Sequence, residues 1–218
     1  MQLHISNRLQ RIAEQITPGA YFADIGSDHA YLPCYVCLKD REARAIAGEV
    51  AEGPWQRALE TVQKFQLEER ISVRLGDGLA VIHDEEKVSE IVIAGMGSGL
   101  ISSILVSGKE KVKQAKKIIA QPNTNAKKVR ETFIALDFIL IDEIIIEENK
   151  QFYEILVAEN QQYTTHTSPY DPEQFAKQLY FGPFLLKNKP ETFKRKWQAE
   201  YDHLAHIVQQ MEASKSTK

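Results

Sequence analysis

Five segments carry side chains able to do chemistry, and each follows an apolar run. The first is Ala23-Asp24-Ile25-Gly26-Ser27-Asp28-His29-Ala30. Gly26 lets the chain turn sharply toward a ligand, and a helix opening behind it offers unpaired N–H groups to a carboxylate. Asp28 and Ala30 stand where a dinucleotide fingerprint places its second and third glycines. Asp28 would put negative charge where a pyrophosphate must lie, and it suits an ammonium group instead. The competing reading is a structural turn with a capping aspartate.

The second segment is Gly48-Glu49-Val50, with Glu49 25 residues after Asp24. A carboxylate there can hydrogen-bond ribose hydroxyls, which dinucleotides and S-adenosylmethionine both carry. The third is Gly76-Asp77-Gly78-Leu79. Its glycines let a loop pass close to a flat ring, and Asp77 can accept from an exocyclic amine; a tight turn favours the same residues for conformation alone. The fourth, Ala94-Gly95-Met96-Gly97-Ser98-Gly99, has more glycine than packing needs. It reads as backbone lying against a methyl donor and an incoming base. The fifth, Gln121-Pro122-Asn123, supplies two amides suited to the polar edge of a base. Together they favour S-adenosylmethionine over a nicotinamide cofactor. By themselves they leave the methyl acceptor open among RNA, protein and small molecules. A nicotinamide oxidoreductase and a non-catalytic RNA-binding module remain as weaker readings.

Charge bears on the acceptor. The net charge is −3, so there is no global basic signature. Residues 109–130, however, hold eight Lys/Arg against Glu110 alone. A run of this kind is usually a solvated helix face. It brackets Gln121 and Asn123, so Lys127, Lys128 and Arg130 are read as phosphate contacts. A second basic group, which includes Lys194 and Arg195, is interleaved with Phe184, Phe193 and Trp197. Aromatics there could stack on bases or pack helix on helix.

The elements that must position these segments alternate. A helix is expected over 7–16, then strands at 20–25, 43–49, 71–75, 91–94 and 117–120. Helices are expected at 30–39, from Pro54, from about Gly99 and at 126–136. Strands 138–147 and 152–159 flank a turn at Glu148-Asn149-Lys150 short enough to force them antiparallel. The expected fold is α/β: a Rossmann-like parallel sheet with a terminal antiparallel hairpin, the architecture of class I methyltransferases. Cys34 and Cys37 fall on one face of the second helix among apolar neighbours and read as core rather than as a redox pair. No metal site is expected.

After residue 160 the chain turns polar, then helical at about 172–180 and 190–211. The stripe Phe193, Trp197, Tyr201, Leu204, Ile207, Val208 and Met211 suits a small helical or coiled-coil domain. Two domains are expected, 1–160 for catalysis and 161–218 for grip on the substrate, with a disordered tail at 213–218. No apolar run is long enough to span a bilayer, and the first six residues lack the pattern of a secretory signal, so a cytoplasmic monomer is expected.

The five segments together, with Tyr31-Leu32-Pro33 and Phe181-Gly182-Pro183, resemble the bacterial TrmK family of tRNA (adenine-22-N1) methyltransferases. Ser98 departs from the second consecutive glycine expected of the family. The resemblance implies S-adenosylmethionine as cofactor, held by Asp24, Gly26, Ser27, His29, Glu49, Val50, Asp77, Gly78, Gly95, Met96 and Gly97. It implies tRNA as substrate, with Gln121, Lys127, Lys128, Arg130, Lys194 and Arg195 as candidate contacts. Asp28, Asn123 and Tyr31 are the catalytic candidates.

Overall fold

The computed structural model describes residues 3–215. Helix α1 (Asn7–Ala13) leads into strand β1 (Tyr21–Ile25), and then α2 (Tyr31–Lys39), β2 (Arg44–Glu49), α3 (Glu52–Lys64) and β3 (Ile71–Leu75) follow. A long return brings the chain to β4 (Glu90–Met96), α4 (Ser98–Ser107), α5 (Lys109–Val112), β5 (Lys117–Pro122) and α6 (Ala126–Ala135). The hairpin β6 (Phe138–Glu148) and β7 (Gln151–Asn160) completes the sheet, and α7 (Phe175–Phe181), α8 (Pro183–Asn188) and α9 (Glu191–Lys215) end the chain.

The strand order is β3-β2-β1-β4-β5-β7-β6. The first five strands pair in parallel, and β7 runs antiparallel to both β5 and β6. The last strand is thus inserted between β5 and β6, which leaves β6 at the edge. Strands buried on both faces explain the near-continuous apolar runs Ile91-Val92-Ile93 and Ile118-Ile119-Ala120. One core forms under α4, α5 and α6, around Ile93, Ile101, Leu105 and Phe133. The other forms under α1, α2 and α3, around Ile12, Phe22, Ala58 and Val62. Cys34 and Cys37 are fully buried in the second core. Burial pushes their thiols up to about 12 and about 11, the opposite of what a reactive thiolate needs.

Several boundaries differ from expectation. Helix α1 stops at Ala13 rather than 16, because Gln15 and Ile16 donate to carbonyls three residues back and tighten the last turn. Pro54 sits inside the first turn of α3, where its missing N–H costs nothing. Among the described residues the segment after residue 160 holds a 3-10 turn at Pro172–Gln174 and three α-helices, which Gly182 at φ +88 and Lys189 at φ +43 separate. Phe193 and Leu185 pack on Ile145 of β6, with Phe181 and Trp197 against them. Beyond them Tyr201, Leu204 and Val208 of α9 are exposed, so no coiled coil is formed among the described residues. The expected disordered tail lies partly outside the described residues: α9 continues to Lys215, and 216–218 are beyond them. No helix among the described residues is long and apolar enough to cross a membrane.

Candidate active site

The sheet order reverses between β1 and β4, and the crevice at the carboxyl ends of such strands is where α/β sheets bind ligands. The five segments converge there. Gly26 takes φ +69, and its amide and that of Ser27 both donate to the Gly48 carbonyl, at 2.9 and 3.2 Å. A Cβ on Gly26 would lie 2.1 Å from Met96 Cε, so the loops after β1 and β4 touch at this glycine. The Gly76 amide donates to the Glu49 carbonyl at 2.8 Å, which ties the third loop to the second.

The acids differ sharply in environment. Asp24 is buried and accepts from the Ser27 hydroxyl at 2.6 Å. Burial pushes its carboxyl up to about 7, against the Ser27 hydrogen bond and with help from the Glu49 charge. Glu49 is also buried, and its Oε1 has no hydrogen-bond partner. Burial raises the Glu49 carboxyl above the usual range, and the Asp28 and His29 amides oppose that rise. Asp28, by contrast, keeps 85% of its side chain exposed and lies 3.2 Å from His29 Nε2. Asp77 is exposed and rims a cleft of about 440 Å³ shared with Leu100 and Ile104.

Residues Asp28, His29 and Ala30 are three consecutive non-glycine residues in the left-handed region, with φ of 45, 70 and 57°. Each such residue costs energy, and clusters of them mark sites where backbone shape serves a ligand. The turn delivers Tyr31 to the first position of α2, with its ring 5.5 Å from that of His29 and 39% of its surface exposed.

The fourth and fifth segments are stitched together. Asn123 donates from Nδ2 to the Gly95 carbonyl at 2.9 Å and from its backbone to the Met96 carbonyl at 2.8 Å. A Cβ on Gly97 would meet no protein atom within 4 Å, so backbone there borders open space. The half-buried side chain of Met96 and the exposed side chain of Val50 (72%) supply apolar surface. An orphaned buried carboxylate oxygen, an open glycine edge and exposed apolar groups fit a nucleoside carrying an amino-acid tail.

Two expected tRNA contacts are overturned by burial. Gln121 is fully buried, and its Oε1 accepts from Arg8 Nη1 at 2.6 Å and from the Gly95 amide at 3.1 Å. Arg130 is also fully buried, 2.6 Å from Glu143 and 2.6 Å from Glu154. Neither can touch RNA. The basic run 109–130 is not one surface either. Lys111 pairs with Asp84, and Lys117 lies 3.4 Å from Glu90 at the opposite end of the sheet. Lys127 and Lys128 remain partly or fully exposed in the first turn of α6, and Lys128 Nζ lies 3.7 Å from the Cβ position of Gly99. Lys194 pairs with Glu191, and Arg195 with Glu147 of β6. Sequence reasoning missed Arg8, which reaches the site from α1 with no local motif to announce it.

Comparison with known proteins agrees with this geometry. The family model described as TrmK, tRNA (adenine(22)-N(1))-methyltransferase, matches residues 22–218. The Bacillus subtilis tRNA (adenine(22)-N(1))-methyltransferase is 44% identical over 217 residues, covering 100% of this chain and 90% of the relative. The crystal structure of B. subtilis TrmK superposes with a TM-score of 0.86, over 97% of this chain and 88% of that one. A Streptococcus pneumoniae protein solved in complex with S-adenosyl-L-methionine is 39% identical, with a TM-score of 0.85 over 96% of this chain and 94% of that one. Mycoplasma capricolum TrmK, solved with S-adenosyl-homocysteine, is 26% identical with a TM-score of 0.79, over 94% and 88%. The chain belongs to the TrmK family of S-adenosylmethionine-dependent tRNA (adenine(22)-N(1))-methyltransferases.

Proposed function

We propose that this chain methylates N1 of adenine 22 in tRNA through a pocket divided between two sets of residues. Asp24, Ser27, Glu49 and Asp77 hold the cofactor, and Asp28, Tyr31 and Asn123 meet the base. S-adenosylmethionine supplies an electrophilic methyl group on a sulfonium that needs no further activation. The protein's task is therefore alignment and charge stabilisation.

The observation that carries this reading is Glu49. A buried carboxylate oxygen without a partner is costly, and two ribose hydroxyls would satisfy it. Asp77, exposed at the end of the neighbouring strand, is placed for an exocyclic amine. Val50 offers a flat ring an apolar face, Gly97 leaves the space beside it open, and Gly26, Gly78 and Gly95 supply the positive-φ turns that shape the loops around it. His29 borders the amino-acid tail.

Attack by N1 turns a neutral adenine into a cation. Asp28 stabilises that developing charge. Asn123 holds the adenine edge, and the exposed Tyr31 ring offers a stacking face. Lys127 and Lys128 contact phosphates beside the pocket, and Lys194 and Arg195 do so from the helical part. In this division residues 1–160 carry catalysis and residues 161–218 grip tRNA, offsetting the cost of taking the base out of its stack. The enzyme works as a monomer in the cytoplasm and needs no metal.

The test is incubation with labelled S-adenosylmethionine and unmodified tRNA, followed by mapping of the modified nucleoside. Label in 1-methyladenosine at position 22 is the expected result. Label at another base, or none in tRNA, overturns it.

A further inference from the structure

We propose that Arg8 is a positioning residue for methyl transfer, fixing the amide of Gln121 and, through it, the amide of Asn123 that meets the target base. The inference rests on the reading of Asn123 given above.

Arg8 is held from several sides. The Ser6 hydroxyl accepts from the Leu9 amide at 3.2 Å, and the Asn7 amide donates to Glu148 Oε1 at 2.7 Å, so the first turn of α1 is anchored to the end of β6. The Arg8 guanidinium carbon lies 5.5 Å from the centre of the Tyr153 ring. Nη1 then donates to Gln121 Oε1 at 2.6 Å. Gly95 takes φ +75 beside it, and a Cβ there would come within 3.3 Å of Nη1.

A guanidinium has five donors and no acceptor, so the end of Gln121 that faces it must be oxygen. The Gly95 amide adds a second donor to that oxygen at 3.1 Å. Gln121 Nε2 is thereby sent the other way, 2.9 Å from the Pro122 carbonyl and 3.4 Å from Asn123 Oδ1. Asn123 must in turn present Oδ1 to Gln121 and Nδ2 to the Gly95 carbonyl, at 2.9 Å. One charged donor, acting with the Gly95 amide and carbonyl and the Pro122 carbonyl, thus holds the polarity of two amides in series.

Polarity matters for this reaction. Asn123 retains a lone pair on Oδ1, which can accept from the N6 amine of adenine and leave N1 free. With the amide reversed, an N–H would oppose the N6 amine, donor against donor, and the base would lose the contact that aligns N1 with the methyl group. The effect falls on the chemical step and not on cofactor or tRNA affinity. Arg8 acts through Gln121 and Asn123 and need not touch the substrate.

The test compares Arg8→Met, Arg8→Lys, Asn123→Ala and the double variant Arg8→Met/Asn123→Ala. The readouts are single-turnover rate at saturation, dissociation constants for S-adenosylmethionine and tRNA, and thermal melting. Arg8→Met should slow the single-turnover rate roughly tenfold, the size of one lost charge-assisted hydrogen bond. Both dissociation constants should stay within about twofold, the signature of an interaction used only in the transition state. Arg8→Lys should recover most of the rate, because an ammonium is also a pure donor. The double variant should be no slower than Asn123→Ala alone. An unchanged rate in Arg8→Met, a weaker cofactor complex at full rate, or additive losses in the double variant would each overturn the proposal. Full activity in Asn123→Ala would remove the role given to Asn123 and this proposal with it. An impaired Asn123→Ala beside an unimpaired Arg8→Met would remove this proposal alone.

Discussion

Arg130 of α6 and Glu143 of β6 meet at 2.6 Å with neither side chain exposed to water. Glu154 of β7 takes the other arm of the guanidinium at 2.6 Å, and Lys196 of α9 pairs with Glu154. The cluster also reads the backbone of the helical part. Arg130 donates to the Leu179 carbonyl at 3.1 Å, and the Phe184 amide donates to Glu143 Oε2 at 3.0 Å. A Cβ on Gly182 would fall 2.5 Å from Glu143, so only glycine lets the chain cross this point. The C-terminal helices are therefore keyed onto α6, β6 and β7 by buried charge.

Removing the cation should be far costlier than removing an exposed pair. Arg130→Met leaves the buried Glu143 carboxylate without a cation and Glu154 with Lys196 alone, and is expected to lower stability by about 3–5 kcal/mol. Chemical denaturation at neutral pH measures it. A loss below about 1 kcal/mol, the range of surface pairs, would mean that the cluster is solvated in solution.

Glu49 should behave in the opposite way. Its Oε1 is buried without a partner, while the Asp28 and His29 amides favour the ionised carboxylate, so in the protein without cofactor the cost and the gain oppose each other. Glu49→Ala is expected to change the melting temperature of the ligand-free protein only slightly, because relief of the buried Oε1 is offset by the lost contacts with the Asp28 and His29 amides. It should weaken S-adenosylmethionine binding by about 1–3 kcal/mol, through the lost ribose hydrogen bonds. Calorimetric affinity equal to that of the parent would take Glu49 out of the pocket.

The loops at the strand ends were legible because their signals are local. Glycine and aspartate at the ends of apolar runs mark where strands stop and ligands can approach, and Asp24, Glu49 and Asp77 emerge at neighbouring strand ends as expected. Arg130 was misread because its partners are remote. It sits in a basic run, and the acids that bury it lie 13 and 24 residues away on the hairpin. The hints were Glu143 and Glu154, each an acid inside a largely apolar strand, at 138–146 and 152–158. Arg8 gave no hint at all: its role comes from where α1 docks, which no spacing encodes. A short turn fixed β6 and β7 as antiparallel, yet nothing in their alternation said which of the two would lie against β5.

Asp24 predicts a pH dependence. Its carboxyl titrates near about 7 in the ligand-free fold because burial disfavours the charged form. The folded state then holds a proton that the unfolded chain has released, so this group's contribution to stability declines as pH rises from about 4 to 7. A cationic ligand beside Asp24 favours the ionised form, and binding must displace that proton below neutrality. The dissociation constant for S-adenosylmethionine should rise as pH falls below about 7 and level off above it. Asp24→Asn should flatten the profile and weaken binding at neutral pH. A pH-independent dissociation constant in the parent between pH 5 and 8 would contradict an Asp24 that titrates in this window and senses the cofactor.

Lys127 and Lys128 are the members of the basic run that lie in the first turn of α6. Both lie in the first turn of α6, directly after Asn123, where positive charge opposes the helix dipole and does nothing for the helix itself. Lys127 has a helical partner in Glu131 at 3.6 Å, a pair with 44% and 49% exposure that contributes little. A ligand-facing role explains their position better than a structural one. Reversing both to Glu should raise the dissociation constant for tRNA and leave cofactor affinity unchanged. Each lost phosphate contact should also flatten the slope of log affinity against log salt by roughly 0.7–0.9. Two contacts are readable in a filter-binding series at several salt concentrations. If the slope of the double variant matches the parent, these lysines face only solvent, and the tRNA surface must be sought around Lys187, Lys194 and Arg195.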